Sequence, residues 1–159
     1  MAPEAEQVSE DHRHVRTTEP RILALVNEGK ARSETFRRLV AALDASDVIV
    51  YLEPKMTRRM LGGYLFNNVG GRGEWRYLRI AVDFHGAHNR VIALLAHELQ
   101  HAVEVAQAPG ARDAGSLEKL FSRWTIQSGC GGTTSCYETQ ASQDVESAVG
   151  NELKATPHH

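Results

Sequence analysis

Three residues within one predicted helix carry the clearest chemistry in this chain. They form a His-Glu-x-x-His motif, His97-Glu98-Leu99-Gln100-His101. A helix turns by about 100° per residue, so His97 and His101 lie about 40° apart on one face and can reach a single Zn²⁺. Glu98 lies at the edge of that face, where it can act as general base on a metal-bound water. The spacing therefore predicts a zinc site with a water-activating glutamate.

A catalytic zinc has three protein ligands and one open position, so a third ligand is needed. Glu104 shares the motif face, but it lies about 10 Å along the axis from His97 and is excluded as a ligand. Glu138 falls on the predicted buried stripe of a later amphipathic helix, where a carboxylate needs a partner, and it is the preferred third ligand. The alternatives are Glu146, Asp144, His85 and His88.

The motif helix is apolar nearly all round, so its polar side chains must be satisfied in a buried setting. A bound metal satisfies two imidazoles and a carboxylate more economically than scattered hydrogen bonds do. The plainer alternative is a metal-free helical scaffold in which two core histidines are paired with a glutamate.

The elements that must position these side chains follow from hydrophobic periodicity and turn signals. In chain order they are one interrupted helix or two short ones from Pro20 to Leu43, a buried strand from Val48 to Leu52, a hairpin with arms Leu61 to Asn67 and Trp75 to Phe84 around a turn at Asn68 to Gly73, the motif helix from after Ala87 to about Gln107, and helices near Ser116 to Trp124 and Tyr137 to Leu153. The pattern predicts an α+β fold with a small mixed or antiparallel sheet, a central motif helix and a C-terminal ligand helix.

Length and composition describe one globular domain. The chain has 159 residues, of which 42% are hydrophobic and 24% charged, with a formal net charge of −2. We expect a flexible N-terminal arm over residues 1–19, a single domain over 20–155 and a short tail over 156–159. Nucleic-acid and membrane partners are disfavoured, because there is no basic run and no apolar run near the roughly 18 residues that span a bilayer.

The motif helix and the later glutamate resemble a known family. The segment VIALLAHELQHAVEVA, followed by Glu138 in YETQAS, is similar to the gluzincin branch of the zincin metallopeptidases, including its minimal members and small bacterial proteins with an AHELQHA helix and a later YET segment. The resemblance implies a zincin-like fold, with zinc held by His97, His101 and Glu138 and water activated by Glu98. Some gluzincins place an acid four residues after the ligand glutamate to orient a motif histidine, whereas this chain has Ser142 there.

The implied function is zinc-dependent peptidase activity, as an endopeptidase or a related amide hydrolase acting on a peptide or protein substrate. A second donor to the developing oxyanion is expected, and Tyr137, His85, His88 and Arg90 are available without one being preferred. The alternative function is a non-catalytic binding or structural protein that the same zinc site stabilises. A closed fourth protein ligand would favour that alternative, and a bound water would favour catalysis. The sequence indicates no oligomeric state.

Two cysteines bracket a flexible loop before the ligand helix. Cys130 and Cys136 flank Gly131-Gly132-Thr133-Thr134-Ser135, which would let them form a disulfide. A disulfide would tether the loop that enters the Glu138 helix, and it implies an oxidising compartment. We therefore expect an extracellular or periplasmic location, although the first twenty residues lack the apolar stretch of a signal peptide. Two free thiols would fit the cytosol equally well.

Overall fold

The computed structural model describes residues 13–55, 64–65, 70–124 and 138–157. Its elements, in chain order, are β1 (Val15–Arg16), α1 (Pro20–Arg32), α2 (Glu34–Asp44), β2 (Val48–Pro54), β3 (Tyr64–Leu65), β4 (Gly70–Arg72), β5 (Trp75–Val82), α3 (His88–Ala106), α4 (Ala114–Trp124) and α5 (Gln140–Ala155). Within these residues no helix is both long and apolar enough to cross a membrane.

The sheet is mixed, and three of its strands are parallel. The strand order is β1-β2-β5-β3, and β4 also pairs with β5. β1, β2 and β5 run parallel, whereas β3 and β4 run antiparallel to β5. The connection from β1 to β2 passes through α1 and α2, because parallel strands need a crossover. The α+β expectation is confirmed at this level, and the sheet is the mixed rather than the purely antiparallel form.

The stretch expected to be a flexible arm contains the short strand β1. Val15 pairs with Val50 of β2, and the ring Nδ1 of the buried His14 donates to the carbonyl of Leu43 at 2.7 Å. Residues 13–19 therefore belong to the folded region. A strand of two residues has no hydrophobic alternation, so periodicity gives no signal for it.

The hairpin turn is shorter than expected. Gly70–Arg72, placed in the turn by the sequence pattern, forms β4, and only Gly73 and Glu74 lie between the paired residues Arg72 and Trp75. Gly73 has a φ of +68°, which an L side chain adopts only with strain. The glycine-rich segment therefore contains both a short strand, which its composition did not predict, and a tight turn, which it did.

Two helices, and not one, occupy residues 20–44. The break falls at Ser33, whose Oγ accepts a hydrogen bond from the backbone N–H of Phe36 at 3.0 Å and so caps α2. Gly29 lies inside α1 and does not break it. A Cβ at Gly29 would lie 2.7 Å from the Phe36 ring, so glycine there allows the ring to pack on the helix backbone.

The helix α3 lies in the centre of the core. It packs against α1, α2 and α5 and against strands β2, β3 and β5. Both motif histidines, Glu98 and Glu104 are buried along with its apolar residues. The expectation of a motif helix buried nearly all round is confirmed.

A buried arginine of β5 fixes the C-terminal end of α3. The Arg76 side chain is 1% exposed and donates two hydrogen bonds to the Asp47 carboxylate, at 2.8 and 2.7 Å. Its Nη1 donates to the carbonyls of Val105, Ala108 and Ala111 at 2.8 to 3.0 Å. These carbonyls include ones that a helix end leaves without intrahelical partners, so Arg76 ties the helix to the sheet.

The C-terminal end of α5 is held by α1 and α2. Glu152 accepts hydrogen bonds from the hydroxyls of Ser33 and Thr35. Arg32 donates to the carbonyls of Leu153 and Thr156, at 2.6 and 2.7 Å. These contacts set the direction of α5, whose other end meets the motif helix.

Candidate metal centre

The helix α3 brings the two motif histidines together. Their Nε2 atoms are 3.2 Å apart, and the residues are 6% and 3% exposed for His97 and His101. Two ligand atoms at about 2.1 Å from a tetrahedral zinc lie about 3.4 Å from each other. The spacing of the two nitrogens therefore matches that of two ligands of one ion.

The other ring nitrogen of each histidine contacts a carboxylate. His97 Nδ1 lies 2.9 Å from Glu146 Oε2, and His101 Nδ1 lies 2.9 Å from Glu104 Oε2. An ionised carboxylate can only accept, so each Nδ1 must donate its hydrogen. A neutral ring with its hydrogen on Nδ1 has a lone pair on Nε2. Two such lone pairs facing each other at 3.2 Å are placed to share a cation, either a proton or a metal ion.

The surrounding charges favour a cation at this position. Burial lowers the pKa of His97, but the hydrogen bond to Glu146 and the charges of Glu98 and Glu138 outweigh burial and raise the pKa above its ordinary value of 6.5. The same hydrogen bond from His97 holds the pKa of Glu146 below its ordinary value, despite the opposing effect of burial. His97 is therefore electrostatically arranged to hold positive charge.

Glu98 is buried beside the histidines and lacks a hydrogen bond within the described part of the chain. It is 8% exposed. Burial raises the pKa of its carboxyl, and the electrostatic interactions with His101 and His97 only partly oppose that rise. A buried carboxylate without a hydrogen-bond partner costs free energy unless something else contacts it. Its position next to His97 is suited to a water or an ion held by the histidine pair.

Glu138 approaches the pair from outside the ligand helix. The expectation that it lies on the buried stripe of that helix is wrong, because α5 begins at Gln140 and Glu138 precedes the cap residue Thr139. Its side chain is 32% exposed, and its Oε1 lies 3.8 Å from His97 Nε2. Its Oε2 accepts a hydrogen bond from Gln143 at 3.0 Å.

Glu138 is therefore near the position of a third ligand but is not within ligand distance. The 3.8 Å separation exceeds the roughly 3.4 Å expected between two zinc ligands. Across residues 13–55, 70–124 and 138–157, no three His, Cys, Asp or Glu side chains already converge as a complete ion-binding group. Relative to His97, the Glu138 carboxylate is a few tenths of an ångström too distant for two ligands of one ion.

The other candidates for the third ligand are engaged elsewhere. Glu146 contacts the Nδ1 side of His97, away from the Nε2 atoms. Asp144 accepts a hydrogen bond from Gln140 on the exposed side of α5. His85 contacts Asp83, and His88 contacts Glu28. Of the four, only Glu146 touches the histidine pair, and it does so as a hydrogen-bond partner.

Sequence reasoning missed the residues that support the histidines. It excluded Glu104 as a ligand and noted that Ser142 replaces the orienting acid of the family, but it assigned no such partner. In the structure Glu104 and Glu146 supply one carboxylate to each ring, the arrangement that commonly orients metal-binding histidines. The i, i+3 spacing from His101 to Glu104 is the one local signal that could have found a partner.

Four other residues were singled out by the sequence near this site: Cys130, Cys136, Tyr137 and Arg90. Cys130, Cys136 and Tyr137 lie outside the described residues, so the disulfide and the exported location stay predictions, and Tyr137 stays one of the available oxyanion donors. The charge of Arg90 helps to lower the pKa of Glu146. No protein-family model matches this chain, and no curated protein or solved structure matches it either.

Proposed function

We propose that this protein is a zinc-dependent metallopeptidase of zincin-like fold and gluzincin type, an endopeptidase or a related amide hydrolase. In this proposal His97, His101 and Glu138 hold zinc, and Glu98 is the general base. The observation that carries the proposal is the pair of buried Nε2 atoms at 3.2 Å, each on a ring whose Nδ1 contacts a carboxylate. The donor set of two imidazoles and a carboxylate is the one that zinc takes in thermolysin-like catalytic sites.

The buried environment suits Glu98 to proton transfer. A zinc ion at this site would supply Lewis acidity toward a peptide carbonyl and an acidic water as nucleophile. The Glu98 carboxylate would take a proton from the attacking water and deliver it to the nitrogen of the leaving amine. Burial raises the pKa of the Glu98 carboxyl and so favours the protonated form through which this transfer passes, while the charge of a bound zinc would act in the opposite direction.

Two carboxylates orient the histidine rings in the same proposal. Glu146 and Glu104 hold the two rings with Nδ1 protonated, which leaves both Nε2 atoms as ligands. The carboxylates also add negative charge near the site and so favour retention of a divalent cation.

A second candidate is a zinc-stabilised protein without turnover. Its support is the burial of His97, His101 and Glu98, which are 6%, 3% and 8% exposed and leave little access for a substrate. In that case Glu98 would compensate the charge of the ion or complete its ligand set.

The test measures bound zinc and peptide-bond cleavage on the same preparations. We expect elemental analysis to find about one zinc per wild-type chain and none in His97→Ala. We also expect the wild type to cleave an unstructured protein substrate. Glu98→Gln should keep its zinc and lose activity by about 10²-fold to 10⁴-fold. Gln140→Ala, an exposed change at the start of α5, is the control and should resemble wild type.

Three results separate the candidates. Wild type that binds no zinc after reconstitution contradicts both. Wild type that binds zinc but cleaves no peptide bond supports the non-catalytic candidate. Full activity in Glu98→Gln contradicts the assignment of the base.

A further inference from the structure

One buried carboxylate connects the motif helix to the residue beside Glu138. Glu104 is 4% exposed. Its Oε2 accepts from His101 Nδ1 at 2.9 Å, and its Oε1 accepts from the Thr139 hydroxyl at 2.6 Å. Thr139 directly follows Glu138. The carboxylate therefore spans the gap between the second motif histidine and the backbone that carries the third candidate ligand.

The Thr139 hydroxyl both donates and accepts a hydrogen bond. As the N-cap of α5, its Oγ1 accepts from the backbone N–H of Ser142 at 3.1 Å, and the Ser142 hydroxyl accepts from the Thr139 backbone N–H at 3.2 Å. The hydrogen of the same Oγ1 is given to Glu104. A hydroxyl can both donate and accept, whereas an aspartate, which caps helices equally well, can only accept.

The contact holds one end of a helix whose other end is already fixed. Glu152 and Arg32 anchor the C-terminal part of α5 to α1 and α2. At the N-terminal end, the Glu104 contact is a buried hydrogen bond that joins Thr139 to α3, and Glu138 is the next residue outward. Because Glu138 lies 3.8 Å from His97 Nε2, a small displacement of this end decides whether it can reach the ion.

We propose that Glu104 and Thr139 are positioning residues that set the distance from Glu138 to the histidine pair, so that zinc is held at full affinity only while the Glu104–Thr139 hydrogen bond is intact. The proposal rests on the proposed function, in that it requires the two histidines and Glu138 to be the zinc ligands. Partners of this kind change metal affinity by about 10-fold to 100-fold when they are removed.

The test separates the helix cap from the hydrogen bond to Glu104. Thr139→Asp keeps a cap oxygen but brings a second carboxylate to Glu104, whereas Thr139→Ser keeps both functions. Glu104→Gln keeps the size of the side chain but cannot accept from both donors. Affinity for Zn²⁺ and for Co²⁺ is measured by competition with a chelator, and the visible absorption of bound Co²⁺ reports its coordination. Circular dichroism and thermal melts of the metal-free forms check folding.

We expect Thr139→Asp and Glu104→Gln to lose about 10-fold to 100-fold in metal affinity and to change the Co²⁺ spectrum. Thr139→Ser and the exposed control Gln140→Ala should bind as wild type does. Thr139→Asp should cause little further loss when Glu138 is already alanine, because the effect acts through Glu138. A merely structural role would lower affinity equally in both backgrounds.

Other outcomes overturn the inference. Wild-type affinity and spectrum in both Thr139→Asp and Glu104→Gln contradict it, and so does an equal loss in Thr139→Ser. If Thr139→Asp does not fold, the nearly isosteric Glu104→Gln decides. A wild type that binds neither Zn²⁺ nor Co²⁺ contradicts the proposed function itself, which is a distinguishable failure.

Discussion

Two buried polar clusters flank the same helix, and they are satisfied in different ways. At the C-terminal end of α3, Arg76 directs its donors at the carboxylate of Asp47 and at backbone carbonyls. In the histidine cluster, two Nε2 atoms face each other and Glu98 has no hydrogen bond among the described residues. The first cluster is complete from the chain's own atoms, and the second is incomplete at Glu98.

This difference separates a structural cluster from a candidate functional one. Buried polar groups in folded proteins are nearly always paired, so an incomplete cluster beside a complete one calls for a specific cause. The burial of Arg76, at 1% exposed, shows that this fold pairs even a long charged side chain fully when no ligand is involved. The buried carboxylate of Glu98 and the close approach of the two Nε2 atoms are the features that the proposed ion site would account for.

The largest effect is expected from breaking the complete cluster. Arg76→Met removes the donors to Asp47 and to the α3 carbonyls, which leaves buried acceptors without partners. We expect the free energy of unfolding of the metal-free protein to fall by about 3 kcal/mol or more, because breaking a buried ion pair from one side is strongly destabilising. Urea unfolding measures the change.

A matched control lies on the same strand. Arg79 pairs with Glu53 at 2.8 Å on the exposed face of the sheet, and Arg79→Met should change stability little because solvent screens that pair. Equal losses of stability in the two variants would mean that the contacts of Arg76 with the end of α3 contribute no more to stability than an exposed ion pair does.

The next effect tests the incomplete cluster. Zinc at about 100 times its dissociation constant should stabilise wild type by about 2.7 kcal/mol, because only the folded state brings the ligands together. His101→Ala should abolish this gain. Arg76→Met should retain most of it, because the hydrogen bonds of Arg76 go to Asp47 and to carbonyls beyond Glu104 and not to a histidine. Thermal melts with zinc and with a chelator measure the gain, and a zinc effect that survives in His101→Ala would place the ion elsewhere.

The same comparison explains what the sequence could predict. His97, Glu98 and His101 lie within one turn or so of a single helix, so their spacing alone brings them to one place. The partners Glu146 and Thr139 depend on how α5 packs against α3, and no local pattern encodes that packing. The error on Glu138 has the same source. Its place on a helical wheel assumed that the helix began before it, whereas the Thr139 cap starts α5 at Gln140.

The fold shows the same division between local and non-local information. The β-branched run of β2 and the alternation in β5 are long enough for the pattern to predict both strands. The strands β1 and β4 have two and three residues and exist because a neighbouring strand offers hydrogen bonds to them. Their pairing is a property of the assembled sheet, so hydrophobic periodicity could not reveal it.

The smallest effect concerns how the complete cluster responds to acid. The hydrogen bond from Arg76 lowers the pKa of Asp47 below its ordinary value of 3.8, against the opposing effect of burial, and the Arg76 charge lowers it further. A carboxyl whose pKa is depressed on folding stabilises the protein above its unfolded pKa, and that stabilisation is lost as pH falls through the folded pKa. Wild type should therefore lose part of its advantage over Asp47→Asn as pH falls below about 4.

Unfolding of both proteins in urea between about pH 6 and pH 3, with a chelator present to remove any metal contribution, measures this difference. We expect the gap in free energy of unfolding to be constant near neutral pH and to narrow at the acid end. Because the Asp47 side chain is 37% exposed, the gap should be smaller than the loss in Arg76→Met. A gap that stayed the same at every pH would mean that the Asp47 charge does not support Arg76, and that the backbone carbonyls of α3 alone complete the cluster.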